Sequence, residues 1–219
     1  MMRLPSAFFA RDTVVVARAL LGQRLVRVFE GARLSGLICE VEAYRGADDR
    51  ASHAYRRTPR SAIMYGPPGH AYVYFIYGMV FCLNAVTEAA EHPGAVLIRA
   101  IVPQEGLPLM RGRRPGISDR RLTDGPGKLC QALGVTQALN GVDLTTSAEL
   151  FIEAAAAVPD AEIVATPRVG VRGDEAARLR PWRFVWQPGI GAAIFPAAET
   201  RHAPVRYPLN NLGQLRADP

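Results

Sequence analysis

Glu42 and Arg99 are the residues whose setting most needs a chemical reason. Glu42 closes an apolar run, two residues before Tyr44 and eleven before His53. A carboxylate can take a proton from water, and does so best when a cation or hydrogen-bond donor holds it. Arg99 sits inside the apolar run VLIRAIV, where a guanidinium without a partner would be costly. A Glu–Arg pair at neighbouring strand ends satisfies both groups. The plainer reading makes Glu42 a solvent-facing residue at the end of a strand. A glycosidase-like pair of carboxylates is not evident, because Asp48 and Asp49 fall in a loop.

Around this pair lie six tyrosines, Tyr44, Tyr55, Tyr65, Tyr72, Tyr74 and Tyr77, with His53 among them. Clustered aromatics are usually core, but tyrosine suits a dry core poorly because each buried hydroxyl needs a partner. A pocket that sandwiches a flat base would use such rings. Tyr77 is also the odd member. It precedes Gly78 at the expected tip of a hairpin, AYVYFIYGMVFCLNAV, where a small polar residue is the rule.

Composition bounds the class. The chain has 219 residues, 49% of them hydrophobic, enough for one large domain with a sizeable core. Its net charge is +6, which fits a polyanionic partner without requiring one. Of its 26 basic residues only Lys128 is a lysine, so the cations are guanidinium forks that suit phosphate oxygens. Cys39, Cys82 and Cys130 are far apart with no CxxC pair, which reads as free thiols in a reducing compartment. The four histidines have no metal-binding spacing, so neither a metal nor a cofactor is expected. No signal peptide is evident. The hairpin stretch is too short to span a bilayer and reads as buried strands.

The elements that must position these residues follow from periodicity. Asp12 and Thr13 open a helix that stops near Gly22. Strands are predicted over 24–29, 34–45, 72–76 and 79–86 and in GAVLIRAIVPQEG, with a turn at 30–33. In the second strand Leu37, Cys39 and Val41 alternate with Ile38, Glu40 and Glu42. The polar segment of about 26 residues after Arg45 is long for a plain connection and should be functional or carry a short helix. GPGKLCQALG predicts a short helix whose N-terminus suits a phosphate, although it is not a P-loop. Elements do not alternate regularly, which favours an α+β domain with a curled, largely antiparallel sheet, its core like an open barrel, and surrounding helices. The domain is expected over 1–195, with 196–219 a C-terminal arm, partly disordered.

The ordered segments CEVEAYRGADDRASHAYRRTPRSAIMY, GHAYVYFIYGMVFCLNAV, VLIRAIVPQEG and GPGKLCQALG closely resemble the alkyladenine (3-methyladenine) DNA glycosylases of bacterial type. The likeness runs from about Phe9 to about Phe184, through PRVGV and RPWRF. It departs where the family has GEW and this chain reads Gly173-Asp174-Glu175-Ala176-Ala177.

The resemblance implies a monofunctional glycosylase of base excision repair. It would flip an alkylated or deaminated purine out of duplex DNA and cut its bond to the sugar, leaving an abasic site. Glu42 matches the family's general base, and Arg99 the arginine that helps place the water. Tyr44 and His53 match one wall of the base pocket and Tyr74 the other, with the His53 backbone N–H reading the base edge. Asn84 matches the residue that crowds the exocyclic amine of normal guanine. Tyr77, carried by Gly78 at the hairpin tip, matches the side chain that enters the minor groove and fills the gap. A Schiff-base mechanism needs a reactive amine, and Lys128 lies in a turn away from Glu42. The substrate range would include 3-methyladenine, 7-methylguanine, hypoxanthine and ethenoadenine, in an order the sequence does not rank. The partner would be double-stranded DNA carrying damaged purines, bound by a cytoplasmic, nucleoid-associated monomer without membrane contact. The rival reading is a non-catalytic damaged-DNA-binding module on the same scaffold. A nucleoside hydrolase fits the basic balance poorly, and a helix-hairpin-helix glycosylase would be all-helical.

Overall fold

The computed structural model describes residues 2–187. The expected arm at 196–219 lies outside these residues. Eight strands build one antiparallel sheet, open rather than closed into a barrel: β1 (Arg24–Phe29), β2 (Ala32–Arg45), β3 (Ala71–Ile76), β4 (Val80–Thr87), β5 (Gly94–Glu105), β6 (Leu150–Glu153), β7 (Ile163–Thr166) and β8 (Arg183–Trp186). The main path runs β3-β4-β5-β2-β1-β6. The long strand β2 is shared on one edge: residues 32–37 pair with β1, and Glu40, Val41 and Glu42 pair with β8, which carries β7. Among the described residues five short α-helices surround the sheet: α1 (Ser6–Phe9), α2 (Thr13–Leu20), α3 (Leu107–Arg113), α4 (Pro126–Leu133) and α5 (Glu175–Leu179). The α+β class expected from the sequence is therefore the fold observed.

Local chemistry accounts for the elements that matter. Asp12 caps α2 by accepting from the N–H groups of Val14 and Val15. Gly22 then turns the chain at φ +81°, where a Cβ would stand 2.6 Å from the Ala156 carbonyl oxygen. Val41, Ala43, Val73, Leu83, Ala85, Val96 and Ile98 bury one face of the sheet in the main core, with α2 packed on β2 and β5 and α4 on β4 and β5. The opposite face carries the polar and aromatic residues. The segment 46–70 crosses it with 3-10 turns at His53–Tyr55 and Ala62–Tyr65. Ala54, Met64, Tyr72, Val86 and Ala95 form a second, smaller apolar cluster beneath it.

The alternation expected in β2 breaks at one point. Ile38 rather than Leu37 is buried in the core, while Val41 is buried as expected. Cys39 is the reason: it is passed over in the pairing with β5, and Arg99 is passed over on the facing strand. Each is a bulge residue that shifts the side-chain phase and re-aims its neighbours. The strand begins at Ala32, because the β1–β2 turn needs only Glu30 (φ 48°) and Gly31 (φ 78°). The apolar stretch ELFIEAAAAV is a strand only through Glu153.

Candidate active site

Residues paired directly across an antiparallel sheet share a face. Tyr72, Asn84, Leu97, Glu42 and Arg183 therefore form one transverse row across β3, β4, β5, β2 and β8. This row is the floor of the candidate site, and the segment 46–70 is its roof.

Glu42 is 0% exposed, so it is not the solvent-facing residue of the plainer reading. Two hydrogen-bond donors and one ion pair hold its carboxylate. The Tyr44 hydroxyl donates to Oε2 at 2.8 Å and the Val169 backbone N–H to Oε1 at 2.7 Å. Arg99 Nη1 lies 3.2 Å from Oε1. Arg99 binds a second carboxylate more closely, with Nε donating to Glu40 Oε1 at 2.6 Å, and Arg183 Nε donates to the same oxygen at 2.6 Å. Burial pulls the Arg99 pKa down, but the charges of Glu42 and Glu40 outweigh it and leave the group firmly cationic. Burial likewise pushes the Glu40 carboxyl up, and Arg99 with Arg183 brings it below the usual range. Burial first, then the Glu42 charge, raises Tyr44 well above an ordinary phenol, so it remains a donor.

A second buried pair ties the site's walls together. The side chains of Asp49 and Arg168 are both 0% exposed. Arg168 donates through Nη1 to Asp49 Oδ2 at 2.5 Å and through Nη2 to Asp49 Oδ1 at 2.8 Å. The same nitrogens reach the carbonyls of Ala43 at 2.9 Å and Ala177 at 2.8 Å. Its guanidinium lies 4.7 Å from the centroid of the Tyr44 ring. One side chain thus joins β2, the start of the roof and the segment leading to α5, directly before the residue that donates to Glu42.

The aromatic wall stands on β3. The rings of His53 and Tyr74 meet edge-on at 4.7 Å, and those of Tyr72 and Tyr74 lie 5.1 Å apart. The Tyr72 hydroxyl is 2.9 Å from His53 Nδ1. His53 opens a 3-10 turn, so its backbone N–H has no acceptor within that turn. Desolvation first, then the nearby Arg60 charge, keeps its pKa below the ordinary value. Asn84 is buried and donates through Nδ2 to the Tyr72 carbonyl at 2.9 Å, which fixes the amide against the wall. Beyond Tyr74, at the free edge of β3, lies a cleft of about 390 Å³ lined by Arg60, Tyr72, Tyr74, Phe75 and Asn140 among others.

The fold therefore brings Glu42, Arg99, Tyr44, His53, Tyr74 and Asn84 onto one face. Tyr77 and Gly78 stand apart at the β3–β4 tip, with φ values of 57° and 68°. Sequence reasoning missed Glu40, Asp49, Arg168, Val169 and Arg183 as partners of this site. Glu40 was within reach, since it shares the alternation with Glu42. Tyr55 and Tyr65 fall outside the row; the Tyr65 hydroxyl donates to the Ala54 carbonyl at 2.8 Å and serves the roof. The three cysteines are free thiols. Among the described residues no cluster of His, Cys, Asp and Glu could hold a metal ion, and no helix is long and apolar enough to cross a membrane.

The fold and site define a class: an open antiparallel sheet that holds a buried carboxylate–guanidinium cluster on the same face as an aromatic wall. The particular family follows from comparison. The chain belongs to the methylpurine-DNA glycosylase family, whose model matches residues 7–189. It is 50% identical over 185 residues to a Methanocella arvoryzae protein named "Putative 3-methyladenine DNA glycosylase", covering 83% of this chain and 90% of that one. Proteins of the same name from Bacillus mycoides and Bacillus cereus are 45% and 44% identical over 197 residues, each covering 85% of this chain and 97% and 96% of their own.

Proposed function

We propose that this chain is a monofunctional DNA glycosylase that flips a damaged purine out of duplex DNA and hydrolyses its N-glycosidic bond. The observation that carries the reading is the fully buried Glu42, held by Tyr44, Val169 and Arg99 in one row with Asn84 and the tyrosine wall. A carboxylate so oriented has little rotational freedom left to lose when it takes a proton. Water attacks C1′ of the sugar, Glu42 accepts the water proton, and the electrons of the broken bond leave with the base. The Glu42 charge also favours the oxocarbenium-like sugar formed as that bond opens. Arg99 fixes the carboxylate and the water. Asn84, tied to the Tyr72 carbonyl, cannot swing away from an exocyclic amine and so disfavours normal guanine.

The remaining parts fit duplex DNA carrying alkylated or deaminated purines. Tyr77 acts as the wedge at the hairpin tip, and the exposed Arg50, Arg56, Arg57 and Arg60 surround the roof where phosphates would pass. Lys128 is bound to Asp124 at 2.8 Å within the first turn of α4, consistent with base release that proceeds without a Schiff base. The protein acts as a cytoplasmic, nucleoid-associated monomer whose residues 1–195 form the glycosylase domain.

Single-turnover excision from duplexes carrying 3-methyladenine, 7-methylguanine, hypoxanthine or ethenoadenine tests the proposal. Glu42→Gln should lower excision by about 10² to 10⁴ while lesion binding changes little. Unchanged excision in this variant would remove Glu42 from its role. Binding without base release by the native chain would favour the rival, a damaged-DNA-binding module.

A further inference from the structure

A pocket built from tyrosine faces should favour cationic purines, because the negative face of each ring attracts positive charge. In this protein two of the site's three tyrosines, Tyr44 and Tyr74, already carry a cation. Arg168 lies over Tyr44 at 4.7 Å, and Arg60 lies over Tyr74 at 4.9 Å. The two guanidinium groups differ in one respect. Arg168 is neutralised by its bidentate bond to Asp49. Arg60 forms no ion pair with a carboxylate among the described residues. Instead its Nη2 donates to the Phe75 carbonyl at 3.3 Å.

That bond places Arg60 at the free edge of β3, on the side of Tyr74 turned away from β4, β5 and Glu42. The guanidinium therefore backs the aromatic wall without filling the space in front of it. Its charge, after burial, also lowers the pKa of the neighbouring His53. A base stacked in front of Tyr74 would feel a positive charge with no carboxylate partner on the other side of that ring.

Resting on the glycosylase reading above, we infer that Arg60 is a specificity-determining residue that offsets the pocket's preference for cationic purines and so widens its range to neutral ones. A cationic lesion such as 7-methylguanine meets repulsion from Arg60. A neutral lesion such as hypoxanthine does not.

The test is the ratio of single-turnover excision rates for 7-methylguanine and hypoxanthine, placed in the same duplex sequence. Contacts from Arg60 to phosphate affect both substrates alike and cancel in this ratio. Arg60→Gln should raise the cationic-to-neutral ratio about three- to tenfold over the native protein, the size expected for one partly screened charge at this range. Arg60→Lys, which keeps the charge, should leave the ratio near the native value. An unchanged ratio in Arg60→Gln, or the same rise in both variants, would overturn the inference. If the native protein released neither base, the glycosylase reading would fail and this inference with it.

Discussion

Glu42 and Tyr77 belong to neighbouring parts of one sheet and are held under opposite conditions. Glu42 is 0% exposed and is held by two hydrogen-bond donors and one ion pair, whereas Tyr77 is 53% exposed in a three-residue connection, 77–79. Phe75 and Met79 flank the tip at 47% and 65% exposure, so the hairpin projects apolar side chains. The turn geometry does not demand this. The β1–β2 hairpin, one residue shorter, also places two successive residues at positive φ, and uses Glu30 and Gly31. Only the β3–β4 tip puts a bulky ring where a left-handed backbone costs on the order of 1–3 kcal/mol. On the proposed reading the contrast has a purpose: a reacting oxygen is fixed before the substrate arrives, and a wedge stays outside until it does.

The sharpest way to break this contrast is at the buried end. Arg168→Met leaves Asp49 buried without its partner, a change that typically costs about 3–5 kcal/mol. The urea-unfolding midpoint should fall accordingly, and excision should fall beyond what the unfolded fraction explains, because Val169 and Tyr44 lose their common anchor. Arg168→Lys keeps the charge but not the fork, so an intermediate loss is expected. If Arg168→Met unfolded at the native midpoint, the buried pair would not be what ties the roof to β2.

Much of the contrast was visible in residue types before any coordinates. Glu42, Arg99 and the tyrosines stand out because each is chemically out of place in its run, and strand positions followed from period-two alternation. Other features were hidden for definite reasons. The bulges at Cys39 and Arg99 are a property of two strands together, and neither sequence run shows them alone. They reverse the alternation in β2, so Ile38 enters the core where Leu37 was expected. Arg168 lies 119 positions from Asp49, and nothing near either residue hints at the other. Arg99 was expected to need one carboxylate and has two, because Glu40 shares the alternation with Glu42 and also reaches it.

The exposed end should respond in the opposite sense. If Tyr77 is the proposed wedge, Tyr77→Ala should lower lesion affinity and excision about tenfold or more, because it no longer offsets an unstacking cost of a few kcal/mol. Its folding stability should change by less than about 1 kcal/mol. Tyr77→Asn places a residue that tolerates the left-handed region at the same turn. This variant should unfold at equal or slightly higher urea than the native protein while losing as much excision as Tyr77→Ala. Retained excision in either variant would make the tip tyrosine incidental.

The smallest expected effect lies between the two regions, at His53. Burial of its inward side, then Arg60, holds its pKa below the ordinary value of about 6.5. The sign of the linkage follows. Between the lowered folded value and 6.5 the unfolded chain binds more protons than the folded one, so stability from this group rises with pH across that interval. It is fully present above 6.5 and is lost as the pH falls toward the folded value. Glu40 adds a change of the same sign at lower pH. Its folded value is depressed, so the stability it contributes is present above the ordinary carboxylate range and disappears in acid. An NMR titration of the imidazole separates the two, and it should give a His53 midpoint below 6.5. Arg60→Gln should move that midpoint upward, because it removes the second cause and leaves the first. Tyr72→Phe removes the hydroxyl on Nδ1 and reports on the hydrogen bond instead. An unmoved midpoint in Arg60→Gln would mean that the guanidinium charge does not reach the wall, and its influence on a base stacked there would be weaker still.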